Sequence, residues 1–221
     1  MCGRFIDPAV RGTDQEHSET LVDPFPNNPV IVPPQGPRRY NVAPTQDILI
    51  IAKSPLVALR ARWWLVPSWH DGALKDWKAT TFNARIEEAA QKPSFRAVWR
   101  HGRCLIPAGG YYEWKTTEGR KTPHAVLSHS NEPTLWFAGL ASRWRDMLTC
   151  TMMTRVANAD TKDLHHRMPV VLDQDERAAW LAGSDAVAGF GETARLRHYA
   201  VARFDSRQEG ADLIAPASMQ Q

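Results

Sequence analysis

A single α+β domain, built on a curved, mainly antiparallel, barrel-like sheet with a few flanking helices, is the fold this sequence predicts. Three observations carry it. Short strand-like runs recur from residue 47 to residue 154 with few helical stretches between them, which argues against a doubly wound parallel sheet. At 221 residues the chain suits one domain, and neither a repeat nor a linker divides it. Hydrophobic residues make up 43% and charged residues 23%, which excludes a disordered tail or a collagen-like repeat. The domain is expected over residues 1–215, with a frayed tail over 216–221.

Thr13-Asp14-Gln15-Glu16 has the form of a capping box and predicts a short helix over 14–22. Residues 23–37 are dense in proline and predict an ordered loop or a polyproline-like stretch. Residues 47–52 and 56–62 predict a hairpin turning at Lys53-Ser54-Pro55. Residues 83–91 have helical composition, and Pro93 stops them. Residues 103–107, 111–115, 124–127, 135–141 and 147–154 read as further strands with polar turns between them. Asp173-Gln174-Asp175-Glu176 is a second capping box, opening a helix that ends near Gly183, and 198–203 reads as a last strand.

The longest apolar run, 48–52, is too short to span a bilayer. The opening MCGRFIDPAV lacks a long apolar stretch and a small-residue cleavage site, so no secretory signal is expected. Three cysteines do not make a disulfide framework, and a compartment that keeps thiols reduced is the default. The net charge is +3, with twenty arginines against seven lysines, and nine tryptophans. Arginine makes bidentate phosphate contacts and lies flat on rings and bases, so this composition points to a local basic surface with stacking groups. High-GC codon usage would produce the same bias.

The chemistry that can be read from the residues starts at Cys2. Loss of Met1 exposes a chain that begins with an amine and a thiol on adjacent carbons. A free α-amino group has a pKa of about 7.7–8.0 and a free thiol about 8.5, so both are available as nucleophiles near neutral pH. Such a 1,2-aminothiol condenses with an aldehyde to a thiazolidine. It can also act as an N-terminal nucleophile with its own amine as base. Incidental placement of Cys2 is the alternative. His165 can exchange a proton at neutral pH, or belong with His166 to a surface pair. Glu113 lies in an aromatic run, where burial favours the neutral carboxyl and suits proton shuttling; an outward-facing strand residue is the alternative. Asn83 either orients a polar substrate or caps the helix expected after it. Cys104 and Cys150 are isolated, with no paired metal-ligand spacing, and no phosphate-binding glycine motif is present. Trp63, in a dense apolar segment, is expected in the core; Trp69, between Pro67-Ser68 and His70-Asp71, is expected to be an exposed wedge.

These segments in order resemble the SRAP (SOS response-associated peptidase) family of abasic-site-processing proteins. The matching blocks are MCGRF at 1–5, YNVAPTQ at 40–46, RWWLVPSW at 62–69 and FNARIEE at 82–88. They continue with PSFRAVWRHGRCLIPAGGYYEW at 93–114, FAGL at 137–140, TMMTRVAN at 151–158 and LHHRMPVVL at 164–172. The resemblance implies a positively charged channel for single-stranded DNA, and crosslinking of Cys2 to the ring-opened aldehyde of an abasic site. It implies that Asn83 holds the N-terminus and the sugar, that Glu113 acts in proton transfer and crosslink reversal, and that His165 assists ring opening. Arg4, Asn41, Arg85 and Arg167 match positions near the DNA backbone, and Pro44 and Trp69 lie on loops that shape the channel. Trp64 stands where the family has glycine, and residues 201–214 follow its closing block only loosely.

The resulting expectation is a monomeric DNA-damage protein of the cytoplasm and nucleoid, or of the nucleus in a eukaryote. It captures abasic sites without a cofactor, with autoproteolytic removal of Met1 and an AP-lyase side reaction in the same site. The alternatives are a thiol peptidase or amidohydrolase acting on other substrates through Cys2, and a non-enzymatic single-stranded DNA-binding module.

Overall fold

The computed structural model describes residues 3–9, 20–26, 28–33, 36–53, 55–130 and 132–217. Cys2, most of the helix expected over 14–22 and the last four residues lie outside them. In chain order the strands are β1 (Phe5–Ile6), β2 (Thr20–Phe25), β3 (Asn28–Val32), β4 (Asp47–Ala52), β5 (Val57–Trp63) and β6 (Asn83–Arg85). They continue with β7 (Arg103–Ala108), β8 (Gly110–Thr117), β9 (Arg120–Ser128), β10 (Leu135–Trp144), β11 (Met147–Val156) and β12 (Arg167–Pro169). The helix α1 (Gln174–Leu181) and β13 (Leu196–Ala200) follow.

Five strands close into a ring in the order β10-β7-β4-β5-β11, with β11 pairing back on β10. All contacts around the ring are antiparallel except that of β5 with β11, where Arg62 and Trp63 pair with Thr149 and Cys150. This is the mixed α+β, barrel-like architecture that the sequence predicts. The far half of β11 continues beyond the ring. There β6 pairs with it in parallel and β12 antiparallel. A second, antiparallel sheet, β1-β8-β9-β13, packs against the ring through Phe5, Tyr111, Val126 and Leu196. Phe5 and Tyr111 both meet Phe137 of the ring edge-on, with centroids 6.5 and 6.1 Å away.

Side chains alternate along the ring strands, as a closed barrel requires. Ile48, Ile50, Ala61, Trp63, Cys104, Ile106, Phe137, Cys150 and Met152 form one buried set drawn from all five strands. A five-strand ring is narrow, and small groups make room for its few large ones. Gly139 is the tightest of these positions: a Cβ there would lie 2.9 Å from both Cys104 Sγ and Ile106 Cδ1. The opposite set, including Leu49, Ile51, Leu105, Trp136 and Met153, is covered by the β2–β3 ribbon, the turns after β6 and α1. No helix among the described residues is long and apolar enough to cross a membrane.

Helix α1 starts as its capping box dictates: Asp173 accepts the Glu176 N–H, and the Glu176 carboxylate accepts the Asp173 N–H. Three expectations are corrected. The helix expected over 14–22 does not include its last residues, since Thr20–Phe25 is a strand. The proline-rich stretch contributes β3, paired with β2 through Val30 and Ile31 although Pro29 lacks an N–H, because an edge ribbon tolerates one missing donor. Residues 83–91 are not a helix. Asn83–Arg85 is a strand, and a series of turns follows, with single helix-like bonds such as Ala89 N–H to Arg85 O at 2.9 Å.

Gly139→Val is expected to lower stability by about 1–3 kcal/mol, the usual cost of overpacking. Urea unfolding checks this: the midpoint should fall while the slope of free energy against denaturant stays constant.

Candidate functional site

The site begins with how β1 is held. Its two residues pair with Tyr111 and Gly110 of β8, and the Tyr112 N–H donates to Arg4 O at 2.9 Å. That bond carries the pairing as far as Arg4, opposite Tyr112 and one residue short of Glu113. On its other side Phe5 exchanges both backbone hydrogen bonds with Val42, at 2.9 and 3.1 Å. Its ring meets Trp63 edge-on at 5.2 Å. Asn41 is 2% exposed. It accepts from Arg4 Nη1 at 3.0 Å and donates to the Asp205 and Gln208 carbonyls. Its amide therefore holds Arg4 and the C-terminal loop, and faces inward.

Glu113 is 6% exposed and shares a face of β8 with Tyr111. Its Oε1 accepts the Trp114 N–H at 3.2 Å. His165 lies on the segment joining β11 to β12. Its Nδ1 sits 3.0 Å from the Arg167 N–H, closer than the 3.3 Å to the Arg167 carbonyl. As an acceptor at Nδ1, the neutral ring carries its proton on Nε2. His166 stacks on it at 4.2 Å. Burial holds the His165 imidazole below its ordinary value, and the charge of Glu113 pulls it back up. The two groups are thus within electrostatic reach, with the imidazole neutral near pH 7.

Asn83, Arg85 and Arg167 are gathered by the free half of β11. Arg85 and Pro169 pair with Thr154 from opposite sides. Asn83 stands on a strand, which removes the helix-cap reading; the Phe82 carbonyl before it accepts from Trp63 Nε1 at 2.8 Å. Arg167 is nearly buried and makes two 2.8 Å bonds to the Glu87 carboxylate and one of 2.6 Å to Thr154 O. Partial burial pushes the Glu87 carboxyl up, but the Arg167 hydrogen bonds and its own backbone outweigh this and hold it below the ordinary value. Arg85 is exposed and pairs with Glu88 at 3.2 Å.

Beside Asn83 a cleft of about 270 Å³ runs past Arg85, Lys92 and Phe95. Trp69 flanks it, 53% exposed, with its Nε1 bonded to Pro93 O at 3.3 Å. Trp63 is fully buried, as the sequence predicts. Trp64 is half-buried, tilted on Phe82 at 5.3 Å, with Nε1 donating to Ala79 O. Pro44 occupies a turn closed by Gln46 N–H to Ala43 O at 3.2 Å, and Thr45 beside it has φ +79°. That angle favours glycine, and a β-branched residue bears strain of about 1–2 kcal/mol there.

Cys104 and Cys150 are buried in the ring, where burial pushes both thiols far up and leaves them protonated and inert. Among the described residues no three His, Cys, Asp or Glu side chains converge to hold a metal. Sequence reasoning missed Glu87, the acid that neutralises Arg167. It also missed a polar cluster of Lys115, His124, Asp163 and His198, whose members come from four separate segments and leave no motif.

Residues 1–206 match the model of the family described as SOS response associated peptidase (SRAP). The abasic site processing protein YoaM of Bacillus subtilis is 33% identical over 188 residues, covering 82% of this chain and 79% of its own. The abasic site processing protein YedK of Escherichia coli is 27% identical, covering 98% of this chain and all of its own. A solved structure of a protein from Bacteroides thetaiotaomicron superposes with a TM-score of 0.69 at 26% identity, covering 80% of this chain and 85% of that one.

The Arg167–Glu87 pair sets a pH signature. Because the folded carboxyl of Glu87 is depressed, its contribution to stability is fully present above the reference value of 4.5 and is lost as pH falls through the lower folded value. Glu87→Gln is expected to cost on the order of 1 kcal/mol at pH 7, the worth of hydrogen bonds to a charged group reduced by solvent screening, since the Glu87 side chain is 44% exposed. Denaturant midpoints measured from pH 7 to pH 3 check this: the gap between wild type and variant should be constant at first and narrow below 4.5.

Proposed function

The chain belongs to the SRAP family, and on that footing we propose that it binds single-stranded DNA and captures abasic sites covalently through Cys2. The observation that carries the proposal is the register of β1 on β8. It brings Arg4, two residues from Cys2, opposite Tyr112 and so next to a nearly buried Glu113, which has a neutral His165 within electrostatic reach. The names of relatives such as YoaM and YedK supply abasic-site DNA as the substrate class.

Once Met1 is removed, the Cys2 amine adds to the aldehyde carbon of the ring-opened sugar, and loss of water gives an imine. The thiol then adds to the imine carbon and its proton passes to the nitrogen, closing a thiazolidine. Aldehyde and aminothiol give thiazolidine and one water, with no change in oxidation state and no cofactor. His165 polarises the ring oxygen through a hydrogen bond from Nε2–H while the proton of the anomeric hydroxyl passes to that oxygen and the sugar opens, and Glu113 carries protons during condensation and reversal. Asn83 orients the chain end and the sugar. A β-elimination could start from the imine, since the amine alone reaches that stage.

DNA follows the cleft beside Asn83. Arg85 and Lys92 supply exposed positive charge there, shared with the Glu88 carboxylate that pairs with both, and Trp69 and the Pro44 turn shape its walls. Arg4 faces the same strand end, held by Asn41. Arg167 contributes by holding the His165 ring through its backbone N–H while its guanidinium remains on Glu87.

The test is incubation with a single-stranded oligonucleotide carrying one abasic site, read on a denaturing gel. A covalent shift is expected with wild type and none with Cys2→Ala; Cys2→Ser should form only an imine, trapped by borohydride. A stable crosslink with Cys2→Ala overturns the mechanism, and Cys2-dependent cleavage of unrelated peptides without a crosslink favours a thiol peptidase. His165→Ala is expected to slow crosslinking by on the order of 10²-fold, with weaker effect on binding to a non-reactive abasic analogue.

A further inference from the structure

Glu113 and His165 belong to different bodies of the fold. Glu113 lies on β8 of the second sheet, whereas His165 lies on a segment whose two ends are fixed in β11 and β12. Their separation is set by whatever ties that segment to β8. Three attachments are visible. Leu164 is buried in the core that the ring shares with the second sheet. Asp160 accepts the Leu196 N–H at 3.0 Å, which grips β13, two strands away from β8. Asp163 reaches β8 itself: its Oδ2 lies 2.6 Å from Lys115 Nζ.

Lys115 is two residues beyond Glu113, on the same face of the strand and about 7 Å further along it. Asp163 is two residues before His165. The ion pair thus runs alongside the Glu113–His165 pair. The other oxygen of Asp163 is engaged as well, with His198 Nε2 at 3.2 Å. His198 Nδ1 in turn lies 3.2 Å from His124 Nδ1. Two ring nitrogens in contact share one proton. With His198 donating from Nε2 to Asp163, its Nδ1 accepts from His124, and the chain runs His124 to His198 to Asp163. His124 pairs with Glu113 across the strands, so Glu113, Lys115, His124 and His198 share one face of the second sheet.

We propose that Lys115 and Asp163, backed by His198 and His124, are positioning residues that brace His165 against Glu113. This rests on the reading of His165 and Glu113 as the proton-transfer groups. Glu113 from β8 and His166 from its own segment bear on the charge of His165, while Lys115, Asp163, His198 and His124 are linked to one another beside them. Lys115 and Asp163 are 36% and 47% exposed at their side chains, so the pair adds little to folding stability. Its effect is geometric.

Two variants separate a brace from a simple field. If the residues acted on His165 only through their charge, Lys115→Met would raise its pKa and Asp163→Asn would lower it. If they act as a brace, either loss frees His165 from the same burial and the same Glu113 contact, and the two variants move its pKa in the same direction. The measurement is the NMR titration of the His165 ring in the folded protein, which needs no activity, alongside the crosslinking rate. The expected result is a shift of the same sign in both variants, crosslinking slowed by on the order of tenfold or more, a melting temperature within a few degrees of wild type, and partial rescue by Asp163→Glu. Opposite shifts, or no shift in either variant, overturn the brace. If both titrations move the same way while wild type forms no crosslink, the brace stands and the proposed function falls.

Discussion

The arrangement depends on one strand serving two structures. The first half of β11 closes the ring by pairing with β10 on one side and, in parallel, with β5 on the other. Its second half leaves the ring with both edges free, and unpaired N–H and C=O groups buried there would be costly. β6 and β12 fill those edges. Each brings polar residues with it, Asn83 and Arg85 on one side and Arg167 on the other. Thr154 sits between them, its hydroxyl donating to Ala84 O at 3.2 Å and its carbonyl accepting from Arg167. A fold that needed β11 only to close the ring would have ended it near Met152.

That demand explains which parts of the fold could be read from the sequence. The β4–β5 hairpin and α1 are specified locally, by alternation with a proline turn and by a capping box, and both occur close to the expected bounds. Residues 83–91 have helix-favouring composition, but propensity is worth a few tenths of a kcal/mol per residue. It gave way to the open edge of β11, which takes Asn83, Ala84 and Arg85 as a strand; only the turns after Ile86 keep a helical trace. The site divides in the same way. His165, Glu113 and Asn83 stand in local blocks and could be picked out by type. Glu87 and Asp163 carry their meaning only through partners 80 and 48 positions away, Arg167 and Lys115, and no local pattern announces such a pairing.

The bias toward arginine and tryptophan proved to have a third source besides DNA and codon usage. Arg103 lies between Trp99 and Trp180, its guanidinium carbon 4.6 and 4.3 Å from their ring centroids. Arg177 covers Trp136 at 5.2 Å while bonded to Glu132, and Arg145 lies over Trp144 at 4.7 Å. The planar, weakly hydrated guanidinium tolerates such burial where an ammonium would not. Much of the composition that resembles a stacking surface for bases is therefore stacking within the protein. Along the cleft beside the exposed Trp69 the cations are Arg85 and Lys92, which share the Glu88 carboxylate.

The cysteines divide on the same physical grounds. A five-strand ring has room for small side chains, and a thiol fills such space without the hydrogen-bond partner that a serine hydroxyl would demand. Cys104 and Cys150 occupy that interior, and burial denies them the thiolate on which nucleophilic chemistry depends. Proton-transfer groups cannot be placed in the ring for the same reason. The Glu113 carboxylate and the His165 imidazole stand outside it, one on β8 and the other on the segment from β11. Chemistry that uses both groups is thereby confined to the seam between the two sheets, where β1 pairs with β8.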